Sequence, residues 1–448
     1  MATAVRTGTM QGESVQPVLP APSWNRADDL IFVSSIFPID AQGNVVHTGS
    51  FSPYVGESEM AAQARGVMET LKRVLAGAGT SLERMLKAEV YLKYPSDFYE
   101  FKLIWKEYFP TDPPVRTTAC VGEDHIIPGV LLNLNGVALA GDSTWKREVI
   151  HVDDVPDPMD AEWIPQAIKA GPFVFPANVP ATDFKTGVPV GKLPVYPYYG
   201  SDAEMQTHYI LQNMEKVLSA AGSDLKQAVK CQFHETNFTN FHDVDGVWGQ
   251  YTHPIPPPRS SMAMRELLVP GAVFVPNVFF IAPNGDFKKE ETRKGIRWHP
   301  VDVRKVNFTP GVLAGDWFFT AGQAALPGYA KSDRDTKAED VFVITPRSLP
   351  HYWSDIEVQT EFTMVLLGEQ LEANGYTLAD IADARIYLAF ARRDYRGFER
   401  AWRRIFEGVG TMPSMSLIPS NDEENRGGVM VGDSLLIVEI DLIMKHRA

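Results

Sequence analysis

The sequence predicts an α+β protein built from three tandem copies of one unit, each a sheet backed by two helices. Three observations predict it. Gln63, Gln206 and Gln359 open helical runs that Gly79, Gly222 and Gly375 close, and both sets are spaced by the same 143 and 153 residues. Phe98 and Trp105, Phe241 and Trp248, and Tyr395 and Trp402 each stand seven residues apart, which puts both aromatics on one helical face. Each unit also reads as strands, helix, strand, helix and two further strands, and a register held through two helices marks an internal repeat. One helix-backed sheet leaves its other face needing cover. Three tandem copies supply that cover by closing into an intramolecular pseudo-trimer.

The units are expected at 21–148, 149–303 and 304–448, after a flexible arm at 1–20. In the first, Leu30–Ser35 is an apolar run of strand length, and Gly43–Asn44 signals a turn. Met60, Val67, Met68, Leu71, Val74 and Leu75 form the stripe of a helix over 57–78, ended by Gly77 and Gly79. Met85–Leu92 is a strand. Ser96 and Asp97 cap a helix over 97–109 that Pro110 ends. Val115–Val121 and Val130–Leu139 read as strands joined by a turn. The second unit repeats the plan with Phe173–Ala177, a Pro-, Gly- and Tyr-rich loop over 182–203, helix 204–220, strand 228–236, a helix near 240–251 and a hairpin over 259–282. The third has Trp317–Ala321, an insertion over 326–354 containing HYW at 351–353, helix 356–373, strand 381–389, helix 394–407 and strand Leu435–Ile443. Segments 140–165 and 283–308 read as linkers, and the basic run in the second (KKEETRKGIR) as a solvated connector.

The 448 residues suit about three domains. A formal charge of −14 disfavours nucleic acid as a main partner. No apolar run has the length to span a bilayer, so no membrane role is expected. The start, MATAVRTGTMQGESVQ, has no apolar signal core. Cys120 and Cys231 are the only cysteines, which fits a reducing compartment, and a cytoplasmic protein is expected. No His, Asp and Cys spacing suits a metal, and no Gly-rich phosphate loop follows a strand, so no metal and no cofactor are expected.

The polar residues of the last strands carry the candidate chemistry. Arg116 follows PPV and Arg259 follows PPP, in register with the repeat. An Arg placed twice among small residues suits bidentate binding of a carboxylate; an Arg paired with a structural acid at a strand edge is the alternative. Read as antiparallel hairpins, the last two strands set Arg116 near Asn133, Arg259 near Asn277 and Ser414 near Glu439. Cys120 lies on the strand face of Arg116, at the substrate as a contact or nucleophile, or as a buried inert thiol. Glu439 and Asp441 share a strand face, where one of them can be purely structural.

Together with GDWFFTAGQ at 315–323 and VEIDLI at 438–443, these residues resemble the Rid (YjgF/RidA) family. The resemblance spans about 30–140, 165–282 and 310–445, and is strongest in ADDLIFVSSIFPIDAQGNVV and FPTDPPVRTT. It implies three Rid-like, chorismate-mutase-like domains. It also implies cofactor-independent hydrolysis of reactive imines or enamines of small carboxylates, at seams between domains. Family members are homotrimers, which makes this chain a pseudo-trimer with three internal seams; further self-association of pseudo-trimers stays open. The family's carboxylate-binding Arg matches Arg116 and Arg259 and is replaced by Ser414. Its water-positioning Glu matches Glu439 and is replaced by Asn133 and Asn277. No unit keeps both, so no seam is expected to hold the family pair if each unit serves one seam. Trp24 and Phe308 lie where the family has an aromatic near its pocket mouth. The expected function is hydrolysis of a C–N bond. A non-catalytic metabolite-binding protein or a scaffold is the alternative.

Overall fold

The computed structural model describes residues 9–12, 18–47, 56–122, 125–158, 164–178, 180–189, 201–285, 287–296, 307–325, 354–420 and 436–446. The core of the 182–203 loop, most of the 326–354 insertion with its HYW motif, and the expected turn near Asn425–Arg426 lie outside the described residues.

Repeat 1 comprises β1 (Thr9–Gln11), β2 (Trp24–Ala27), β3 (Leu30–Ile36), α1 (Glu59–Gly77), β4 (Met85–Leu92), α2 (Phe98–Tyr108), β5 (Val115–Cys120) and β6 (Leu132–Leu139). Repeat 2 comprises β7 (Arg147–Ile150), β8 (Ala167–Ala170), β9 (Phe173–Pro176), α3 (Asp202–Ala220), β10 (Ala228–Glu235), α4 (Phe241–Thr252), β11 (Arg259–Ala263) and β12 (Phe274–Ile281). Repeat 3 comprises β13 (Lys289–Thr292), β14 (Gly311–Ala314), β15 (Trp317–Thr320), α5 (Asp355–Ala373), β16 (Ile381–Leu388), α6 (Ala391–Ile405), β17 (Ser414–Pro419) and β18 (Val438–Lys445). Each repeat forms one six-stranded sheet, ordered β1-β2-β3-β6-β4-β5 in the first and equivalently in the others. The segments read as linkers therefore carry strands: β7 and β13 each edge the sheet that follows them, as β1 does in what was expected to be a loose arm.

The helices form where the periodicity places them. Ser58 caps α1 by accepting from Ala61 N, and Met60, Val67, Met68, Leu71, Val74 and Leu75 are all buried. Trp105, Trp248 and Trp402 lie fully buried under their sheets.

The strand pairing corrects the hairpin reading. In each repeat the strand after the second helix returns parallel to the strand before it: β5 beside β4, β11 beside β10 and β17 beside β16. The last strand then pairs antiparallel on the opposite side of that middle strand. Arg116 therefore opposes Ala88 and Asn133 opposes Tyr91. Arg259 opposes Cys231 and Asn277 opposes Gln232; Ser414 opposes Asp383 and Glu439 opposes Tyr387. The helix makes a crossover, which sends its strand to the sheet edge, whereas a hairpin would join it to the next strand.

The sheet faces away from the helices meet one another. One apolar cluster draws Phe32, Leu86, Val137, Phe173, Phe175, Phe279, Trp317, Phe319 and Ile443 from all three repeats. Beside it lies a buried polar layer. Arg385 Nη2 stands 2.9 Å from Glu89 Oε1, and Lys230 Nζ 2.7 Å from Asp441 Oδ2; all four side chains are at most 2% exposed. Asn277 Nδ2 donates to Glu89 Oε1 at 2.8 Å, and Thr117 Oγ1 to Asn277 Oδ1 at 3.1 Å. Repeat 3 also contacts repeat 1 through Asn25 Nδ2, which donates to the Ala382 carbonyl at 2.9 Å. Each repeat thus touches both others.

Candidate functional site

The crossover places Arg116, Arg259 and Ser414 at sheet edges, each against the following repeat. Asn178 N donates to the Arg116 carbonyl at 3.1 Å, and Gly322 N to the Arg259 carbonyl at 3.1 Å. At the third edge Ser35 Oγ accepts from Leu417 N at 2.9 Å. A seam therefore combines the edge strand of one repeat with the last strand of the next. The strand register also shifts one alignment. Tyr91, His234 and Tyr387 are equivalent, and they oppose Asn133, Val275 and Glu439. Val275, not Asn277, occupies the Glu439 position in repeat 2. Asn277 aligns with Asn135 and Asp441, and belongs to the buried polar layer.

The three seams differ accordingly. Repeats 1 and 2 bring Arg116 to a cleft that Val275 lines. Repeats 3 and 1 bring Ser414 and Asn133. Ser414 Oγ lies 2.8 Å from Asp383 Oδ1, and Asn133 Nδ2 donates to the Leu417 carbonyl at 2.9 Å. Repeats 2 and 3 bring Arg259 and Glu439 together. The expected pairing of each candidate with a residue of its own repeat fails, because each seam is drawn from two repeats rather than one.

At this seam the Arg259 guanidinium lies over the rings of Phe233, Phe241 and Phe308, at 4.5, 4.9 and 5.5 Å. Its Nη1 donates to Asp245, which Asn307 Nδ2 also contacts at 2.8 Å. Among the described residues, its Nε and Nη2 donate to no protein group, so one bidentate edge remains for a ligand carboxylate. Glu439 is 4% exposed. Burial, then the charge of Asp441, pushes its carboxyl up to about 8, against the opposing pull of Ser260, Lys230 and Arg259. A Cβ on Gly322 would fall 1.6 Å from Glu439 Oε1 and 2.6 Å from Ser260 Oγ, so only glycine leaves that carboxyl its place. Asp441 is the structural acid of the strand: its Oδ2 accepts from Tyr387 and Ser260, both at 2.6 Å, and pairs with Lys230. The arrangement can hold a carboxylate at Arg259 and exchange one proton near neutral pH at Glu439.

Phe308 is thus brought to Arg259, while Trp24 packs in the repeat 1 core with Gly12 and Gly77 beside its indole. Cys120 is fully buried, and desolvation pushes its thiol well above the ordinary range. Asp245, Asn307 and Gly322 were not singled out as site residues. Gly322 stood within the GDWFFTAGQ motif, but an Asp inside a helix and an Asn before a strand carry no signal of their own. Among the described residues no group of three or more His, Cys, Asp and Glu could hold a metal ion. No described helix is long and apolar enough to cross a membrane.

The model of the family described as endoribonuclease L-PSP matches residues 22–140 and 181–274. A 3-aminoacrylate deaminase, RutC, of Acinetobacter baylyi is 33% identical over 122 residues, 27% of this chain and 88% of that protein. Among solved structures, an endoribonuclease-like protein of Klebsiella pneumoniae is 26% identical, covering 26% of this chain and 98% of its own, with a TM-score of 0.24. A chorismatase structure covers 81% of this chain and 93% of its own at 11% identity and a TM-score of 0.47. With three sheet-and-helix repeats and an Arg at two seams, the chain belongs to the Rid (YjgF) family.

Proposed function

We propose that the seam between repeats 2 and 3 hydrolyses a C–N bond, that of an imine or enamine of a small carboxylate. The observation that carries this is the meeting of Arg259 and Glu439 across one seam, with one guanidinium edge unengaged. Similarity to a 3-aminoacrylate deaminase supports the reaction class. The substrate carboxylate pairs with Arg259 Nε and Nη2. Glu439, protonated below about pH 8, gives its proton to the enamine carbon and leaves an iminium. Water adds to the C=N carbon and passes a proton to the Glu439 carboxylate. Glu439 gives that proton to the amine nitrogen, the C–N bond breaks to release ammonia, and the hydroxyl proton returns to Glu439 as the ketone C=O forms. Pairwise contact of all three repeats supports the further reading that they close into a pseudo-trimer.

The test is ammonia release from freshly generated imino acids. Arg259→Ala and Glu439→Gln should each lower kcat/KM at least tenfold, and Arg116→Ala should leave it within about twofold, tenfold being ~1.4 kcal/mol of transition-state stabilisation. Because the acid form works, the rate should fall as pH rises past about 8. Equal losses in both Arg variants would contradict the assignment to this seam. The Asp245 contact already neutralises part of Arg259, which favours a second reading, a binding site without turnover. Saturable carboxylate binding with no ammonia above the uncatalysed rate would select it.

A further inference from the structure

We infer that repeat 2 carries a ligand site away from the seam residues, at the far end of its sheet, which binds a planar aromatic carboxylate. A pocket of about 540 Å³, open to solvent, lies there, within the roughly 300–1,000 Å³ of small-molecule sites. Trp145 lines it from the segment before β7, Lys169 from β8, Gly222 from the end of α3, and Pro283, Asn284 and Phe287 from the chain that leaves β12.

Differences between repeats 1 and 2 make this pocket. Ala140 N donates to the Asp29 carbonyl and Ala282 N to the Pro172 carbonyl, both at 2.8 Å. Thr80 Oγ1 donates to the Leu139 carbonyl and Ser223 Oγ to the Ile281 carbonyl, both at 2.6 Å. These bonds make Gly141 the counterpart of Pro283 and Asp142 that of Asn284; strand pairing makes Arg26 that of Lys169. In repeat 1 the place is closed. A Cβ on Gly141 would fall 1.9 Å from the Gly79 carbonyl oxygen, so only glycine lets those two segments touch. Pro283 carries a Cβ there, and the segments stand apart. In repeat 3 the rings of Tyr376 and His446 stack at 3.9 Å across the same place.

The charge differs in step. Arg26 Nη2 pairs with Asp142 at 2.8 Å, and Nη1 donates to its other oxygen at 3.1 Å. Asn284 replaces that acid in repeat 2, so the cation stays and its counter-ion is gone. Lys169 Nζ donates to the Ala221 carbonyl at 2.8 Å, and among the described residues its other two N–H groups meet no protein acceptor. Glu148 opposes it across β7 but is exposed and makes no ion pair with it. Lys169 is the one charged residue among those described that line the pocket, which selects an anion. Trp145 and Phe287 give the ligand its shape. Both abut the Phe173 ring, at 6.2 and 5.6 Å, and offer aromatic faces on which a flat ring system stacks. The carboxylate then accepts from Lys169 Nζ and the Asn284 amide. The pocket is remote from the proposed chemistry: Val275, at the Glu439 position, precedes it by about 23 Å of strand. The inference does not rest on hydrolysis at the seam.

The probe is 2-naphthoate, titrated calorimetrically into the full chain carrying Arg259→Gln, which silences the seam guanidinium. One saturable site is expected. Adding Lys169→Gln should weaken it at least tenfold. Adding Asn284→Asp, an exposed change that restores the counter-ion found in repeat 1, should do the same. The neutral 2-naphthamide should bind at least tenfold more weakly than the acid. No saturable binding in the Arg259→Gln chain would overturn the inference, as would a loss smaller than tenfold in either added variant with circular dichroism unchanged. Ammonia release is measured separately on the wild-type chain, so failure of this site and failure of hydrolysis at the seam are told apart.

Discussion

Glu235 ends β10 with both carboxyl oxygens buried and without a hydrogen-bond partner among the described residues. The equivalent residues are Leu92 and Leu388. Burial pushes its carboxyl up from 4.5 to about 8. The folded chain therefore keeps a proton that the unfolded chain releases between those values, and stability drops as pH rises through that window. Glu235→Leu should be more stable than wild type, by a margin that widens from pH 5 to pH 8 by at most ~1.4 kcal/mol per pH unit. Urea unfolding at four pH values checks this, and a flat margin would refute it. Gly322→Ala makes a different demand. Its Cβ displaces the Glu439 carboxyl, a side chain rather than backbone. Turnover at that seam should fall at least tenfold while the thermal midpoint shifts by only a few degrees; unchanged ammonia release would separate Gly322 from the chemistry. The sequence showed the Arg and Glu of the site, but not which would meet. Asn277 looked like the counterpart of Glu439 because strand ends slip by two residues without changing face, and only the pairing of His234 with Val275 resolves it.

The helices and middle strands were legible because their periodicity is local. The crossover was not, since two apolar runs separated by a turn read equally well as a hairpin. Its consequence at the level of elements is that β4, β10 and β16 each lie between two partners, with Lys87, Glu89, Lys230, Gln232, Asp383 and Arg385 buried on them. Arg385→Met alone strands Glu89, and Glu89→Gln alone strands part of Arg385. Each should cost about 3–5 kcal/mol, whereas replacing both by Met should cost far less. A double-mutant cycle in urea reads this directly. Near-additive losses would mean that the pair is not coupled across its seam.

At the scale of the whole chain, each repeat touches both others, and the proposed closure of the three into a pseudo-trimer would leave no seam for a second and third copy. Light scattering of the purified protein should show no species of three chains, and a stable one would contradict the pseudo-trimer. The polar layer adds a further consequence. In an assembly of identical subunits every substitution is made three times around the axis, so an arginine placed at the centre meets two more of itself. Joined in one chain, equivalent positions change one at a time, and Glu89, Gln232 and Arg385 share one register. In this chain that register holds opposite charges, Glu89 beside Arg385. Likewise an acid, Glu439, stands at one seam, while Asn133 and Val275 take its position at the others.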